Sequence, residues 1–253
     1  MIVGVGTWRG TGATTTALLV ARMLAAQGER PWLIEADPAG GTLAGRLPFV
    51  PDHAGGLERI AFPAGRLTMT ERFETVADAV YGMRLITAPG DPFRGWACHT
   101  PRLAWAPSLR DLDGPVVVDL GRMHGGAPTS AVLEQLDVLL LTTTPDPVSL
   151  VSTLEWARLL GRVSPADAGL PLDLVRLAVV DLPIGHERVP RAHAEDELAD
   201  RFAGWLPWSP DVVDLVLRGA DPADRRLRRQ PLIQATEQLC NRLRTWAPTE
   251  SLP

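Results

Sequence analysis

A glycine- and threonine-rich turn near the N-terminus carries the residue types best suited to chemistry in this sequence. An apolar run at residues 2–5 leads into GTWRGTGATTTALLVA, which is the order of a strand, a tight turn and a helix. Gly10 and Gly12 let the backbone N–H groups approach a phosphate, and Thr14 stands where a hydroxyl can bind Mg²⁺. The turn alone also fits a second interpretation, a strand-to-helix connection whose glycines serve only tight packing.

Short apolar runs rich in β-branched residues recur along the chain and would position this turn. They lie at residues 2–5, 32–34, 84–87, 116–118, 138–141 and 177–180, with helix-like stretches between several of them. This alternation predicts a mainly parallel sheet in an α/β fold. Residues 14–27 and 230–246 show helical spacing of apolar side chains and predict helices packed on the sheet. The Pro- and Gly-rich segments 48–66 and 89–105 predict loops or short irregular connections.

The composition is that of an ordinary globular chain. Hydrophobic residues make up 45% of the sequence and charged residues 22%, which suits one large domain spanning residues 1–253. The net charge of −5 gives no global attraction to nucleic acid or anionic lipid. No apolar run approaches the roughly 20 residues that span a bilayer, and the N-terminus lacks a signal-peptide pattern, so we expect a cytoplasmic protein without a membrane span.

Arginine carries all of the strong basicity, since the chain has 25 arginines and no lysine. Every basic role must therefore fall to an arginine. The two cysteines and five histidines show no metal-ligand spacing, and we expect no zinc site.

The glycine-rich turn resembles the phosphate loop of the ParA/MinD family of deviant-Walker ATPases, which reads KGGVGKTT. In the aligned segment WRGTGATT, Trp8 and Ala13 stand where the family has its two lysines. The resemblance implies a P-loop NTPase fold with three layers, a mainly parallel sheet with helices on both faces. It also implies that ATP and Mg²⁺ bind at six loop residues, namely Gly10, Thr11, Gly12, Ala13, Thr14 and Thr15.

Two acidic motifs further along the chain resemble the family's metal-binding motifs. PWLIEADPAGG is similar to a strand ending in acid-x-acid-Pro, which places Glu35 near Mg²⁺ and Asp37 near the attacking water. VVVDLGR is similar to the Walker B strand, whose aspartate, here Asp119, holds the Mg²⁺ shell through water. The resemblance thus implies Thr14, Glu35 and Asp119 around the metal and Asp37 as the catalytic residue.

Two later positions resemble the part of the family that binds the nucleotide base. In LAVVDLP, Asp181 stands where the family usually has an asparagine that reads adenine, and a carboxylate accepts hydrogen bonds but cannot donate them. Pro207, in GWLPWSP, lies in the proline-bearing loop that borders the base in the family. The choice between ATP and GTP stays undecided by these residues.

The two missing lysines bear directly on activity. Phosphoryl transfer depends on positioned positive charge, and the loss of one such group commonly costs about a hundredfold or more in rate. We therefore expect weak or lost hydrolysis. Arg9 is the nearest candidate for compensation, and a solvated loop arginine is its alternative role. For Trp8 we hypothesise a protein contact or a ring that lies over the empty lysine site.

The closest resemblance is to actinobacterial MinD-like proteins with loops such as SPGVTTT, and more distantly to CpaE/TadZ pilus-localisation proteins, whose loops are also poor in lysine. It implies a homodimeric nucleotide-binding or former nucleotide-binding scaffold that acts through protein partners on a larger assembly, such as a pilus, secretion or division apparatus. One alternative is a slow Mg²⁺-dependent ATPase.

A further alternative is a ParA-like DNA-partitioning protein that would use a run of four arginines, Arg225, Arg226, Arg228 and Arg229. The competing interpretation of this run is a solvated surface, salt-bridged to the neighbouring Asp221 and Asp224. We expect the solvated surface rather than nucleic-acid binding.

Overall fold

Eight strands form one sheet in the part of the chain that the computed structural model describes, residues 1–48, 54–100, 105–123, 128–160, 172–183 and 187–247. The strands are β1 (Ile2–Thr7), β2 (Trp32–Glu35), β3 (Asp78–Val80), β4 (Met83–Ile86), β5 (Val116–Arg122), β6 (Val138–Thr143), β7 (Val175–Asp181) and β8 (Phe202–Pro207). Their order is β3-β4-β2-β5-β1-β6-β7-β8, and all neighbours are parallel except the β3-β4 hairpin. The predicted mainly parallel sheet is confirmed.

Ten α-helices surround the sheet within the same described residues. They are α1 (Ala13–Ala26), α2 (Leu43–Arg46), α3 (Gly56–Ala61), α4 (Met69–Val76), α5 (Pro92–Ala97), α6 (Ser130–Leu133), α7 (Pro147–Leu160), α8 (Arg191–Leu198), α9 (Pro210–Leu217) and α10 (Pro231–Trp246). Apolar side chains of α1, α9 and α10 pack on one face of the sheet, and those of α3, α4, α7 and α8 on the other. This layering confirms the predicted three-layer fold. Among the described helices, none has the length and apolar character needed to cross a membrane.

The central elements are apolar because protein covers them on every side. All residues of β1 and β6 are buried, and alternate side chains point into the two opposite cores. Helix α1 packs between the sheet and α10, and each of its residues at positions 16–24 is buried. This burial explains why the sequence of α1 is apolar nearly all round. The turn that precedes α1 is therefore held at the carboxyl edge of the central strands.

Several short elements were not predicted from the sequence. β3 has only three residues, and β8 has the sequence FAGWLP, in which Gly and Pro weaken the strand pattern. α3 and α5 lie in the two segments predicted to be irregular, because a six-residue helix makes fewer than two turns and shows no apolar period. Residues 49–53 and 101–104 of those segments lie outside the described residues.

Candidate phosphate and metal site

Most of the residues singled out from the sequence meet at the carboxyl edge of the central strands. β1 lies between β5 and β6. Strands β2 to β5 lie on one side of β1 and strands β6 to β8 on the other, and this reversal of strand order opens a crevice beyond the strand ends. Asp119 is paired in register with Glu35, and Thr7 is paired with Arg122 and Thr142. The register therefore brings two acidic motifs and the glycine-rich turn to one place.

The turn after β1 has the backbone shape of a phosphate loop. Gly10 and Gly12 adopt φ angles of 75° and 88°, left-handed conformations that cost residues with a side chain about 1–2 kcal/mol. Gly12 is the N-cap of α1, and no side chain caps this helix. The N–H groups of its first turn and the dipole of the 14-residue helix thus favour an anion in the crevice.

Three buried threonines anchor this loop from below. The Thr11 hydroxyl donates to the carbonyl of Thr142 at 2.8 Å and lies 2.7 Å from the Thr7 hydroxyl oxygen. The Thr7 oxygen in turn accepts the backbone N–H groups of Thr11, at 3.1 Å, and of Arg9, at 3.3 Å. Two backbone donors of the loop are therefore satisfied within the protein. That Thr11 binds the cofactor stays a prediction, and its described contacts hold the loop in shape.

Asp119 is a fully buried carboxylate with one oxygen left without a partner. Its Oδ1 accepts the N–H of Gly121 at 3.0 Å, whereas Oδ2 has no hydrogen-bond partner among the described residues. The Thr14 hydroxyl is near enough to lower the pKa of Asp119, but burial and the neighbouring Glu35 outweigh it and raise that pKa to about 7. An uncompensated buried oxygen of this kind fits a position beside a cation.

The donor set around Asp119 suits Mg²⁺ held jointly with phosphate. Mg²⁺ prefers oxygen ligands and usually keeps several waters while using one or two carboxylates together with phosphate oxygens. Thr14 and Asp119 provide a hydroxyl and a carboxylate at the start of α1. Within the described residues, no group of three or more His, Cys, Asp or Glu side chains could hold a metal ion by itself. The residues present therefore fit Mg²⁺ only together with a phosphate ligand and water.

Glu35 is already engaged by the backbone on both of its oxygens. Oε1 accepts the N–H groups of Thr42 and Leu43, and Oε2 accepts the N–H of Ala88 at 3.0 Å. A side chain at Gly41 would approach Glu35 Oε2 to 2.5 Å, so the glycine permits this close contact. Burial raises the pKa of Glu35 despite the three N–H donors. Its role as a Mg²⁺ ligand stays a prediction, and the described contacts tie β2 and β4 to the start of α2.

Asp37 lies over the end of β5 because Gly121 leaves room for it. A Cβ atom at Gly121 would fall 1.8 Å from Asp37 Oδ2, and Gly121 has a left-handed φ of 56°. The other carboxylate oxygen, Oδ1, accepts the N–H of Ala39 at 2.8 Å. Asp37 is close enough to Asp119 for its charge to raise the pKa of that residue. The structure therefore brings the predicted catalytic carboxylate to the predicted metal residue.

Two arginines that sequence reasoning missed lie against the phosphate loop. Arg122 ends β5, and its Nη2 lies 2.7 Å from the point where a Cβ of Gly10 would be. Arg46 ends α2, and its Nη2 donates to the Thr15 hydroxyl at 2.9 Å. The position of Arg122 three residues after Asp119 on the same strand is a signal that would have found it. No sequence signal brings Arg46 to Thr15, because the intervening chain must fold back first.

At both positions where the family has a lysine, the side chain of this protein packs against its own hydrophobic core. Ala13, the first residue of α1, is buried in the hydrophobic core. Trp8 is half-buried, packs against the opposite core and stacks at a tilt on Trp156, with ring centroids 5.4 Å apart. Part of the Trp8 ring thus packs within the protein itself, and its contact with another protein or position over the lysine site stays a hypothesis. Arg9 is exposed, and its positive charge adds to the hydrogen bonds from Thr144 and Ser149 that outweigh burial and lower the pKa of Asp146.

The two predicted base-side residues are neighbours in the sheet. Asp181 and Pro207 are paired in register at the carboxyl ends of β7 and β8. Val180, next to Asp181, has its Cγ1 3.8 Å from the Cβ position of Gly12, which connects this region to the phosphate loop. Asp181 also forms an ion pair with Arg188, a partner that the sequence did not suggest. A carboxylate paired with a guanidinium is less suited to reading a base by itself.

Comparison with known proteins supports the fold at low sequence identity. No protein-family model and no curated protein sequence matches the chain. The cell division ATPase MinD of Pyrococcus furiosus is similar over 97% of this chain and 99% of its own, with TM-score 0.71 and 19% identity. MinD in a MinC:MinD complex of Aquifex aeolicus has TM-score 0.66 and 19% identity over 100% and 98% of the two chains. MinD complexed with Mg-ADP from Pyrococcus horikoshii has TM-score 0.62 and 15% identity over 96% of each chain. The ParA/MinD-type P-loop fold is thereby confirmed.

Proposed function

We propose that this chain is a MinD/ParA-like scaffold that binds a nucleotide with Mg²⁺ and positions or regulates a larger protein assembly, with slow or no hydrolysis. The observation that carries the proposal is the unpartnered Oδ2 of Asp119, fully buried near the Thr14 hydroxyl at the start of α1. Leaving a buried carboxylate oxygen unpaired costs free energy unless a cation is bound beside it. A Mg²⁺-phosphate ligand would satisfy it.

The residues of the site divide into those that would bind and those that hold the shape. The N–H groups at the start of α1 would bind phosphate, while Thr14 and Asp119 would hold Mg²⁺, directly and through water. Mg²⁺, when bound, neutralises phosphate charge and orients the phosphate groups. A protein partner for this chain is supported by the similar MinD of Aquifex aeolicus, which is found in a complex with MinC.

We expect slow or absent hydrolysis because the phosphate loop itself brings little positive charge. The chain contains no lysine, and the buried Ala13 brings no charge to the loop. The Thr7 hydroxyl also accepts two backbone N–H groups of the loop, those of Arg9 and Thr11, which are thereby not free to bind a phosphate. Because phosphoryl transfer relies on such donors, we expect binding and dimerisation rather than turnover to be the useful signal.

Two other functions each have one supporting observation. A slow ATPase is favoured by the placement of Asp37 over the end of β5, where it could orient a water, and hydrolysis abolished by Asp37→Ala would select it. DNA binding is favoured by the arginine run, because all four side chains are exposed and, within the described residues, their ion pairing is limited to Arg228 with Glu237 at 4.0 Å. Asp221 and Asp224 cap backbone N–H groups there instead. DNA affinity that falls steeply with salt would select this function.

The test is the thermal unfolding of the pure protein with and without millimolar ATP, ADP or GTP and Mg²⁺. A ligand present at 100 times its Kd adds about 2.7 kcal/mol to the free energy of unfolding. We expect a clear upward shift that requires Mg²⁺ and that disappears in Asp119→Asn but persists in the matched surface variant Asp196→Asn. If no nucleotide at millimolar concentration moves the transition, the proposal of a nucleotide-binding scaffold is wrong.

The homodimer is tested by sedimentation in the same solutions. We propose that nucleotide and Mg²⁺ shift the protein from monomer to dimer, as a scaffold switched by its ligand requires. If the nucleotide raises the unfolding temperature but leaves the sedimentation coefficient unchanged, the nucleotide site is supported and ligand-driven dimerisation is wrong.

A further inference from the structure

The phosphate loop needs positive charge that its own residues do not bring. The N–H groups at the start of α1 provide a partial positive charge, and a phosphate chain carries several negative charges. Because the chain contains no lysine, arginine is the residue type whose side chain carries a permanent positive charge in this protein. Three arginines lie near the loop in the described structure, Arg9, Arg46 and Arg122.

Two of these arginines already interact with other side chains of the protein. Arg46 donates through Nη2 to the Thr15 hydroxyl on the first turn of α1. Arg9 uses its backbone N–H on Thr7, and its side-chain charge acts on Asp146 at the start of α7. The atoms nearest the Cβ positions of Gly10 and Gly12 belong to Arg122 and Val180, so neither Arg9 nor Arg46 covers these glycines.

Arg122 differs from both in position and in partners. Its Nη2, Cζ and Nε atoms lie 2.7, 3.6 and 3.7 Å from the Cβ position of Gly10, so the guanidinium covers this glycine. Within the described residues, the Arg122 side chain has neither an ion pair nor a hydrogen bond. On the neighbouring strands, Arg122 is paired in register with Thr7, and this pairing holds Arg122 beside the start of the loop. An exposed guanidinium thus reaches the crevice, and none of its five N–H donors is used by a residue that the structure describes.

A second observation points to a ligand at the same place. The Oδ2 atom of Asp119, on the same strand, is buried and unpartnered, and Asp37 lies over Gly121 between the two residues. A Mg²⁺ ion beside Asp119 and an anion beside Arg122 would share one crevice. Asp119 and Arg122, three positions apart on β5, therefore present opposite charges to a Mg²⁺-phosphate ligand.

We infer that Arg122 binds the phosphate groups of the ligand in this site and supplies the positive charge that the loop lacks. The planar guanidinium can donate two parallel hydrogen bonds to phosphate oxygens, which a single ammonium group cannot do in the same way. Gly10 makes this possible, because any side chain there would displace the guanidinium from the loop. The inference rests on the proposed function, since it assigns the phosphate-binding residue of the same site.

Calorimetric titration of Mg-ADP and of pyrophosphate with Mg²⁺ into the purified full-length chain tests the inference. We compare the wild-type protein with Arg122→Gln, Arg122→Lys and a distant control, Arg218→Gln, which removes another exposed arginine at the end of α9. We expect Arg122→Gln to weaken both ligands by about ten- to a hundredfold, the usual effect of losing hydrogen bonds to a charged group. Arg122→Lys should recover part of the affinity, and Arg218→Gln should change neither.

The outcomes separate this inference from the proposed function. Nucleotide binding that is equal in wild type and Arg122→Gln overturns the role of Arg122 and leaves the scaffold proposal standing. Pyrophosphate binding that depends on Arg122, without any nucleotide binding, supports Arg122 and overturns the nucleotide proposal. Binding of neither ligand overturns both. Urea unfolding of each variant checks that Arg122→Gln is folded, which we expect because its side chain is exposed and unpaired.

Discussion

Replacing Asp119 by asparagine should change how the stability of the protein depends on pH. In the folded chain, burial raises the pKa of Asp119 from its ordinary 3.8 to about 7. The folded state therefore holds a proton that the unfolded state has already lost. The stability associated with this proton is fully present below pH 3.8 and is lost as the pH rises through 7.

The size of the effect follows from the two pKa values. The whole difference corresponds to about 4 kcal/mol, and about 2 to 3 kcal/mol of it falls between pH 5 and pH 8. In Asp119→Asn the titrating group is gone, so this part of the fall should vanish. Glu35, whose pKa is also raised by burial, should leave a fall of the same sign in this variant.

Urea unfolding at pH 5 and pH 8, without nucleotide or Mg²⁺, measures the effect. Any pH-independent cost of the new amide cancels in the comparison between the two pH values. The matched control is Asp196→Asn, which changes an exposed aspartate on α8 and should keep the wild-type difference. If Asp119→Asn shows the same loss of stability between pH 5 and pH 8 as wild type, the account of Asp119 as a desolvated, unpaired carboxylate is wrong.

Three further substitutions test the loop and its supports by urea unfolding. Gly121→Ala should cost at least about 1–2 kcal/mol, because a Cβ would overlap Asp37 and the left-handed φ disfavours it, whereas Gly204→Ala, with no atom within 4 Å, should be nearly neutral. Thr11→Val should cost about 1 kcal/mol, because it removes the buried hydroxyl that donates to the Thr142 carbonyl and contacts the Thr7 hydroxyl, and an unchanged midpoint would contradict the anchoring role. Trp8→Ala should cost about 2 kcal/mol through lost packing on its aromatic partner in α7, and if self-association and ligand binding also stay unchanged, Trp8 has no role beyond packing.

The order of the motifs made the fold predictable from the sequence. Apolar runs separated by helical stretches indicate a parallel sheet, because strands buried on both faces must be apolar throughout. All six predicted runs are strands, and residues 14–27 correspond to α1. The short elements β3, β8, α3 and α5 were missed, because a few residues cannot show a period and tertiary packing decides their conformation.

The sequence by itself determined the chemistry that is available: a glycine-rich turn, a hydroxyl at Thr14, carboxylates after two strands and the complete absence of lysine. These are local properties, and local spacing is enough to read them. Only the tertiary structure decided how they are used. Strand register sets Asp119 beside Glu35 and Arg122 beside the loop, and backbone N–H groups from distant segments engage Glu35. Such contacts join residues far apart in the chain, so their partners depend on packing that no single segment encodes.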